Sequence, residues 1–275
     1  MGELLLTDTQ EQYRRDNASL LSGATPSSVE ILAHLETSLF RLSLFERLAA
    51  VRAQIPGRIV FTTSFSLEDQ AIGHAIFSQQ LPIDVVTLDT GRLFAETHQV
   101  WAETEKHYQV RVRAFFPDTA DLEALVSRQG DSGFRTSVVA RRACCYVRKV
   151  APLDRALAKV SGWITGLRAD QSGERARLSF ASFEAERRLL KVNPLIDWTR
   201  DDVAEFVRAH DVPINSLHNR GFPSIGCAPC TRPVRPGEPE RAGRWWWEQD
   251  EKKECGLHAA LHQGSVNHNR ADAMP

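Results

Sequence analysis

Arg58-Ile59-Val60-Phe61-Thr62-Thr63-Ser64-Phe65-Ser66-Leu67-Glu68-Asp69 decides the architecture of this chain. Residues 58–63 are apolar and β-branched and read as a buried strand, and residues 67–78 read as the helix that follows. The joint between them offers hydroxyls and free backbone N–H groups, which suit a phosphate-like anion. Ser66 with Asp69 equally fits a plain capping box. The alternation continues downstream. Asp84–Leu88 is expected as a strand, Leu93–His107 as a helix, Val110–Phe115 as a strand and Asp118–Ser127 as a short helix. A helix over Ser137–Val150 follows, and Pro152 opens a further turn or two to about Ala158. Trp163–Gly166 and Leu189–Val192 complete five strands, and Asp201–His210 reads as a helix. Such alternation predicts an α/β fold, a parallel sheet with helices on both faces.

Upstream, Ile31, Leu32, Leu35, Leu39, Leu42, Phe45 and Leu48 recur at helical spacing. They predict one amphipathic helix over Ser27–Ala53, ended by Pro56-Gly57. Residues 1–25 are polar and expected to be loosely ordered. Residues 26–232 then form one α/β domain. Residues 233–275 are rich in Pro, Gly, Arg and Trp, then charged, and read as an irregular C-terminal tail.

The chain has 275 residues, 42% hydrophobic and 25% charged, so a core can form without disulfides. A formal net charge of −1 offers no global field for nucleic acid or an anionic membrane. The N-terminus has no signal-peptide pattern, and no apolar run approaches the ~20 residues of a membrane helix. A cytoplasmic protein with reduced thiols is the expectation, and oligomeric state is left open.

Ligands of parallel sheets bind at the carboxyl ends of the strands. Three polar loops fall there: Thr63–Asp69, Leu88-Asp89-Thr90-Gly91-Arg92, and Thr165–Ser172 with Arg168. Each alone has a plainer reading, as a cap, a turn and a solvated arginine. Together they point to an anionic ligand.

Five cysteines divide four plus one. Cys144 and Cys145 are adjacent in a basic, helical stretch, and Cys227 and Cys230 form a C-A-P-C knuckle. Four thiolates fill the ligand set of a structural zinc or an iron–sulfur cluster. Adjacent helical residues point about 100° apart, awkward for one tetrahedral ion and better suited to a larger cluster. Arg148 and Lys149 beside them can offset thiolate charge or reach a bound anion. Cys255 is left over, beside Lys252 and Lys253, whose charges favour the thiolate. It is a candidate nucleophile. Arg241, Arg244 and three tryptophans at 245–247 can clamp an anionic nucleotide or pin the tail to the body.

Cys144-Cys145, G-C-A-P-C-T-R-P at 226–233 and E-C-G-L-H at 254–258 together resemble the assimilatory adenylyl-sulfate (APS) reductases, relatives of the phosphoadenylyl-sulfate (PAPS) reductases. Leu88–Arg92, Asn215–His218 and Arg244–Trp247 are also similar to that family. The resemblance implies an adenine nucleotide alpha-hydrolase-like fold. It implies a [4Fe-4S] cluster on Cys144, Cys145, Cys227 and Cys230, a set that favours APS over PAPS. It implies thioredoxin, or a similar dithiol protein, as partner, with AMP and sulfite as products. Cys255 is then the catalytic nucleophile and forms an S-sulfocysteine. Substrate contacts are expected at Ser64, Ser66, Leu88, Thr90, Lys149, Gly166, Arg168, Arg241, Arg244 and His258. Lys149 and the three arginines would neutralise the phosphosulfate. The alternatives are a PAPS-reducing or dual-substrate enzyme, an ATP-using thiolase of the same fold, and a non-catalytic metal module. Residues 63–69 lack the S-G-G-x-D-S loop that the thiolase would need.

Overall fold

A computed structural model describes residues 25–248, apart from residue 174. Cys255 and His258 lie outside the described residues. Among the described residues no helix is long and apolar enough to cross a membrane.

The predicted first helix is two. Helix α1 spans Pro26–Ser38 and α2 spans Leu44–Gln54. The break has a local cause that the apolar periodicity hides. Ser43 and Glu46 form a reciprocal capping box: the Ser43 N–H donates to Glu46 Oε2 at 2.8 Å, and the Glu46 N–H donates to Ser43 Oγ at 3.4 Å.

Strand β1 is Ile59–Thr63 and α3 is Leu67–Ser78. Then come β2 (Asp84–Leu88), α4 (Ala95–Tyr108), β3 (Arg113–Phe115) and α5 (Thr119–Gln129). Helix α6 (Val138–Cys145) runs through a π-helical turn at Tyr146–Val150 into α7 (Ala151–Ala156). Pro152 has no N–H to return to the turn before it, so the regular ladder cannot pass this point intact. Strand β4 is Gly162–Ile164, β5 is Ala181–Glu184, β6 is Leu189–Val192, and α8 is Arg200–Ala209.

The six strands lie in the order β3-β2-β1-β4-β6-β5. All neighbours are parallel except β5, which pairs antiparallel with β6 through Ala181↔Val192 and Glu184↔Leu189. That sixth strand was not expected; it closes the edge as a hairpin, and its short, mixed run carries no clear period.

Side chains alternate across the sheet as strand geometry demands. Ile59 and Phe61 enter one core with α1, α2, α3 and α8, while Val60 enters the other with Leu153, Ala156 and Leu157. Ile164 and Trp163 divide in the same way, as do Leu190 and Leu189. Both faces are therefore covered, which is why these strands read as continuous apolar runs.

The chain builds outward from β1 to β2 and β3, then returns to β4 on the other side of β1. The strand order reverses between β1 and β4, and a crevice opens there at their carboxyl ends.

Candidate active site

The loop after β1 is held by a carboxylate beneath it. Asp69 accepts from the Ser64 N–H at 2.6 Å and from Ser64 Oγ at 2.7 Å. Ser66 occupies the N-cap of α3 but makes no side-chain capping bond, so the capping box expected with Asp69 is not formed. Phe65 takes a left-handed backbone (φ 58°) and buries its ring against Trp101, with centroids 5.6 Å apart. Ser64 and Ser66 are thereby left facing the crevice. Burial pushes the Asp69 carboxyl up to about 6, against the lowering effect of its Ser64 hydrogen bonds. A Cβ on Gly166, in the loop after β4, would collide with Asp69 Oδ1. Only glycine lets the two loops close on each other there.

The loop after β2 joins this crevice to the cysteines. Thr90 Oγ1 lies 3.3 Å from Cys227 Sγ, and the Thr90 carbonyl accepts from Arg148 Nη1 at 2.7 Å. The Ala228 N–H of the knuckle donates to the Arg92 carbonyl at 2.8 Å. The knuckle itself closes through Cys230 N–H to Cys227 O at 2.9 Å.

The segment expected to be an irregular tail folds back as far as it is described. Thr231 bridges Arg244, the Arg232 N–H reaches the Gly243 carbonyl at 3.0 Å, and the Trp245 N–H reaches the Cys230 carbonyl at 3.2 Å. Residues 231–245 thus form a strap, with a turn at Arg235–Glu238 closed by a 3.1 Å hydrogen bond. The strap is pinned by the buried pair Arg141–Glu248 (2.5 Å) and by Arg141 and Arg244, which lie 4.5 and 4.8 Å from the Trp245 ring centroid.

Loops and strap enclose a cavity of about 170 Å³. Ser64, Ser66, Leu88, Thr90, Lys149, Gly166, Arg241 and Arg244 line it, as the sequence reading grouped them. Arg168 is not brought to the lining. It is fully buried, and its guanidinium is taken up by Glu68, Asp170 and Glu240. The lining also holds Glu68, Asp69 and Gln171, from the loops expected there, and two residues from outside them, Arg175 and Glu240. Four cations, Lys149, Arg175, Arg241 and Arg244, therefore share this wall with three carboxylates. Glu240 could have been suspected only from its place beside Arg241, and nothing local marks Arg175.

Cys227 and Cys230 are buried with Phe134 and Trp245, and Cys144 and Trp247 pack against them. Cys145, next along, is half-buried. Burial pushes the Cys144 thiol up, against the pull of Arg148 and Arg92. Burial and the neighbouring Cys227 push Cys230 up to about 12, against Lys149 and Arg244. Among the described residues no three His, Cys, Asp or Glu side chains close round one point as a single metal ion demands. A cluster whose iron atoms each take one thiolate sets a wider requirement. Among the described residues, three buried donors nearby have no hydrogen-bond partner: Arg148 Nε, Arg244 Nε and Trp247 Nε1. Orphaned donors beside the Cys144, Cys227 and Cys230 thiols suit an anionic, acceptor-rich group.

A family model for the phosphoadenosine phosphosulfate reductase domain matches residues 58–233, from the start of β1 to the strap. The chain belongs to this family. Its relatives include the adenosine 5'-phosphosulfate reductase of Agrobacterium fabrum, 54% identical over 228 residues, 83% of this chain and 87% of that protein. The enzyme of the same name from Sinorhizobium fredii (strain USDA 257) is 52% identical over 250 residues, 90% of this chain and 99% of that one. Among solved structures, the PAPS reductase of Candida auris superposes with a TM-score of 0.65 at 25% identity, over 76% of this chain and 98% of that chain. The family's adenine nucleotide alpha-hydrolase-like fold is the one described above.

Proposed function

We propose that this protein reduces adenosine 5'-phosphosulfate to sulfite and AMP, with thioredoxin or a similar dithiol protein as reductant, in assimilatory sulfate reduction leading to cysteine. One observation carries the reading. A cationic cavity at the strand-order reversal, lined by Lys149, Arg241 and Arg244, adjoins the Cys227 thiol through Thr90. The named relatives supply the substrate: they are adenosine 5'-phosphosulfate reductases at 52–54% identity.

The chain's own residues divide the work. The start of α3 at Ser66 faces the nucleotide's anionic groups, and Ser64, whose N–H and hydroxyl donate to Asp69, holds the loop in place beside it. Lys149, Arg241 and Arg244 neutralise charge that develops on the phosphosulfate oxygens. The Cys255 thiolate attacks the sulfonyl sulfur, the sulfur–oxygen bond breaks, and AMP leaves with the electron pair. A thiol of the dithiol partner then attacks the Cys255 sulfur and expels sulfite. Its second thiol resolves the mixed disulfide, so the two electrons come from the partner. Cys144, Cys145, Cys227 and Cys230 would hold a [4Fe-4S] cluster, and Arg148, Arg244 and Trp247 would donate toward it. When bound, it supplies fixed charge beside Lys149. Because the free thiols of Cys144 and Cys230 are held protonated, loading the site releases protons.

The test is an intact mass spectrum after anaerobic mixing with APS and no thiol donor. One added sulfonate, absent in Cys255→Ser and removed by reduced thioredoxin, is expected. An unmodified protein, in a preparation whose iron and sulfide analysis shows a full site, overturns the reading. The same mixture with PAPS reads the preference between the two nucleotides.

A further inference from the structure

Arg168 and Glu240 meet where the loop after β4 passes the strap. Each guanidinium nitrogen of Arg168 has a carboxylate partner: Nε with Glu68 Oε1 at 2.9 Å, Nη1 with Asp170 Oδ2 at 3.2 Å, and Nη2 with Glu240 at 3.0 and 3.3 Å. Glu68 and Glu240 line the cavity, whereas Arg168 does not. These two carboxylates therefore stand between a buried cation and the space an anionic ligand would enter.

Glu240 is the one built to move. Asp170 is two residues from Arg168, and Glu68 is also held by Gln171 Nε2 at 3.0 Å. Glu240 comes from the strap, 72 residues along the chain. Arg200 Nη1 already lies 3.6 Å from Glu240 Oε1, so a second cation waits for it. Burial, and then the neighbouring Glu68, push the Glu240 carboxyl above its ordinary value, which marks an ionised group in a costly place.

We propose that Glu240 is a stand-in anion, which holds the Nη2 edge of Arg168 in the free protein and yields it to the anionic group of the substrate by moving onto Arg200. The proposal rests on the function above for the identity of that anion. Every charge stays paired through the exchange. Arg168 trades one oxyanion for another at Nη2, whose charge-assisted hydrogen bonds suit carboxylate and phosphate or sulfonate alike. Glu240 is a positioning residue in this scheme, and its shift carries the adjacent Arg241 with it, so substrate entry is coupled to the strap.

The test titrates APS into the full chain carrying Cys255→Ser, alone and with Glu240→Gln or Arg200→Met added. Removing the competitor with Glu240→Gln should tighten APS binding by roughly three- to tenfold, on the scale of one partly desolvated ion pair. Removing the second partner with Arg200→Met should weaken it by a similar factor. With Cys255 restored, the KM for APS should follow these changes. A merely structural role would move both variants in one direction. Unchanged or weaker binding by Glu240→Gln, in protein that melts like the parent, overturns the stand-in role and leaves the reaction intact. Should that variant not fold, Arg200→Met decides alone, and unchanged or tighter binding overturns it. If the Cys255→Ser parent itself binds no APS, the proposed reaction falls and this inference with it.

Discussion

Arg168 and Arg244 are both almost wholly buried at the same end of the sheet, at 0% and 6% exposure, yet their surroundings differ. Arg168 is ringed by Glu68, Asp170 and Glu240. Among the described residues no ion pair reaches Arg244. It touches the Ser224 hydroxyl at 3.5 Å and the Ile225 carbonyl at 3.3 Å, stacks on Trp245, and keeps Nε without a partner. One arginine is compensated within the protein, and the other holds unspent charge at a cavity wall. Burial alone does not separate a cation already paired within the protein from one left open to a ligand; the partners do.

The sharpest way to break this contrast is to remove each charge in turn. Arg168→Met strands Glu68 and Glu240, and an unpaired buried charge costs about 3–5 kcal/mol. Urea unfolding should show a loss of that size, and a loss under 1 kcal/mol would mean that the carboxylates do not need Arg168. Arg244→Leu leaves no carboxylate stranded and should cost far less in unfolding. In the proposed reaction it should lower kcat/KM by about 10²-fold or more, the scale of one lost donor at developing charge. Equal losses of stability for the two variants would erase the distinction.

This difference was not legible in the sequence. Both arginines stand in loops expected at the cavity, and local spacing assigns them the same role. What parts them is Glu240, which reaches Arg168 across 72 residues. The strands fared otherwise. Asp84–Leu88 and Leu189–Val192 have the expected boundaries because both faces of the sheet are covered and apolar runs mark them. Residue type and spacing also suggested a link between Cys144 and the Cys227–Cys230 knuckle, and these three pack together. Strand β5 was not, because its burial comes from pairing with β6 and contact with α1 rather than from its own period.

Asp69 sharpens the comparison with a carboxylate in place of an arginine. It is buried at 6% exposure, among the described residues it has hydrogen bonds but no cation partner, and burial lifts it from 3.8 to about 6. The folded protein therefore keeps this proton to higher pH than the unfolded chain. The stability it lends is complete below about pH 4 and is lost as the pH rises through about 6. A shift of two units corresponds to at most ~3 kcal/mol. Unfolding free energies measured at pH 4.5 and 7 in wild type and Asp69→Asn should differ in slope, the variant being flatter. Identical slopes would mean that Asp69 is ionised throughout at no cost.

The smallest expected effect tests the same lesson on serine. Ser43-Leu44-Phe45-Glu46 and Ser66-Leu67-Glu68-Asp69 carry the same capping signature. Ser43 makes the bond and Ser66 does not; the Ser66 and Ser64 side chains both turn to the Asp69 carboxylate. Ser43→Ala should cost ~1 kcal/mol in unfolding and leave turnover unchanged. Ser66→Ala should cost a few tenths of a kcal/mol at most, since no capping bond is lost, and show instead in the KM for the nucleotide. A stability loss at Ser66 equal to that at Ser43, with KM untouched, would return the loop after β1 to an ordinary helix cap. The reverse pattern makes one motif serve two purposes, and the choice between them was made by a neighbouring carboxylate that the motif itself contains.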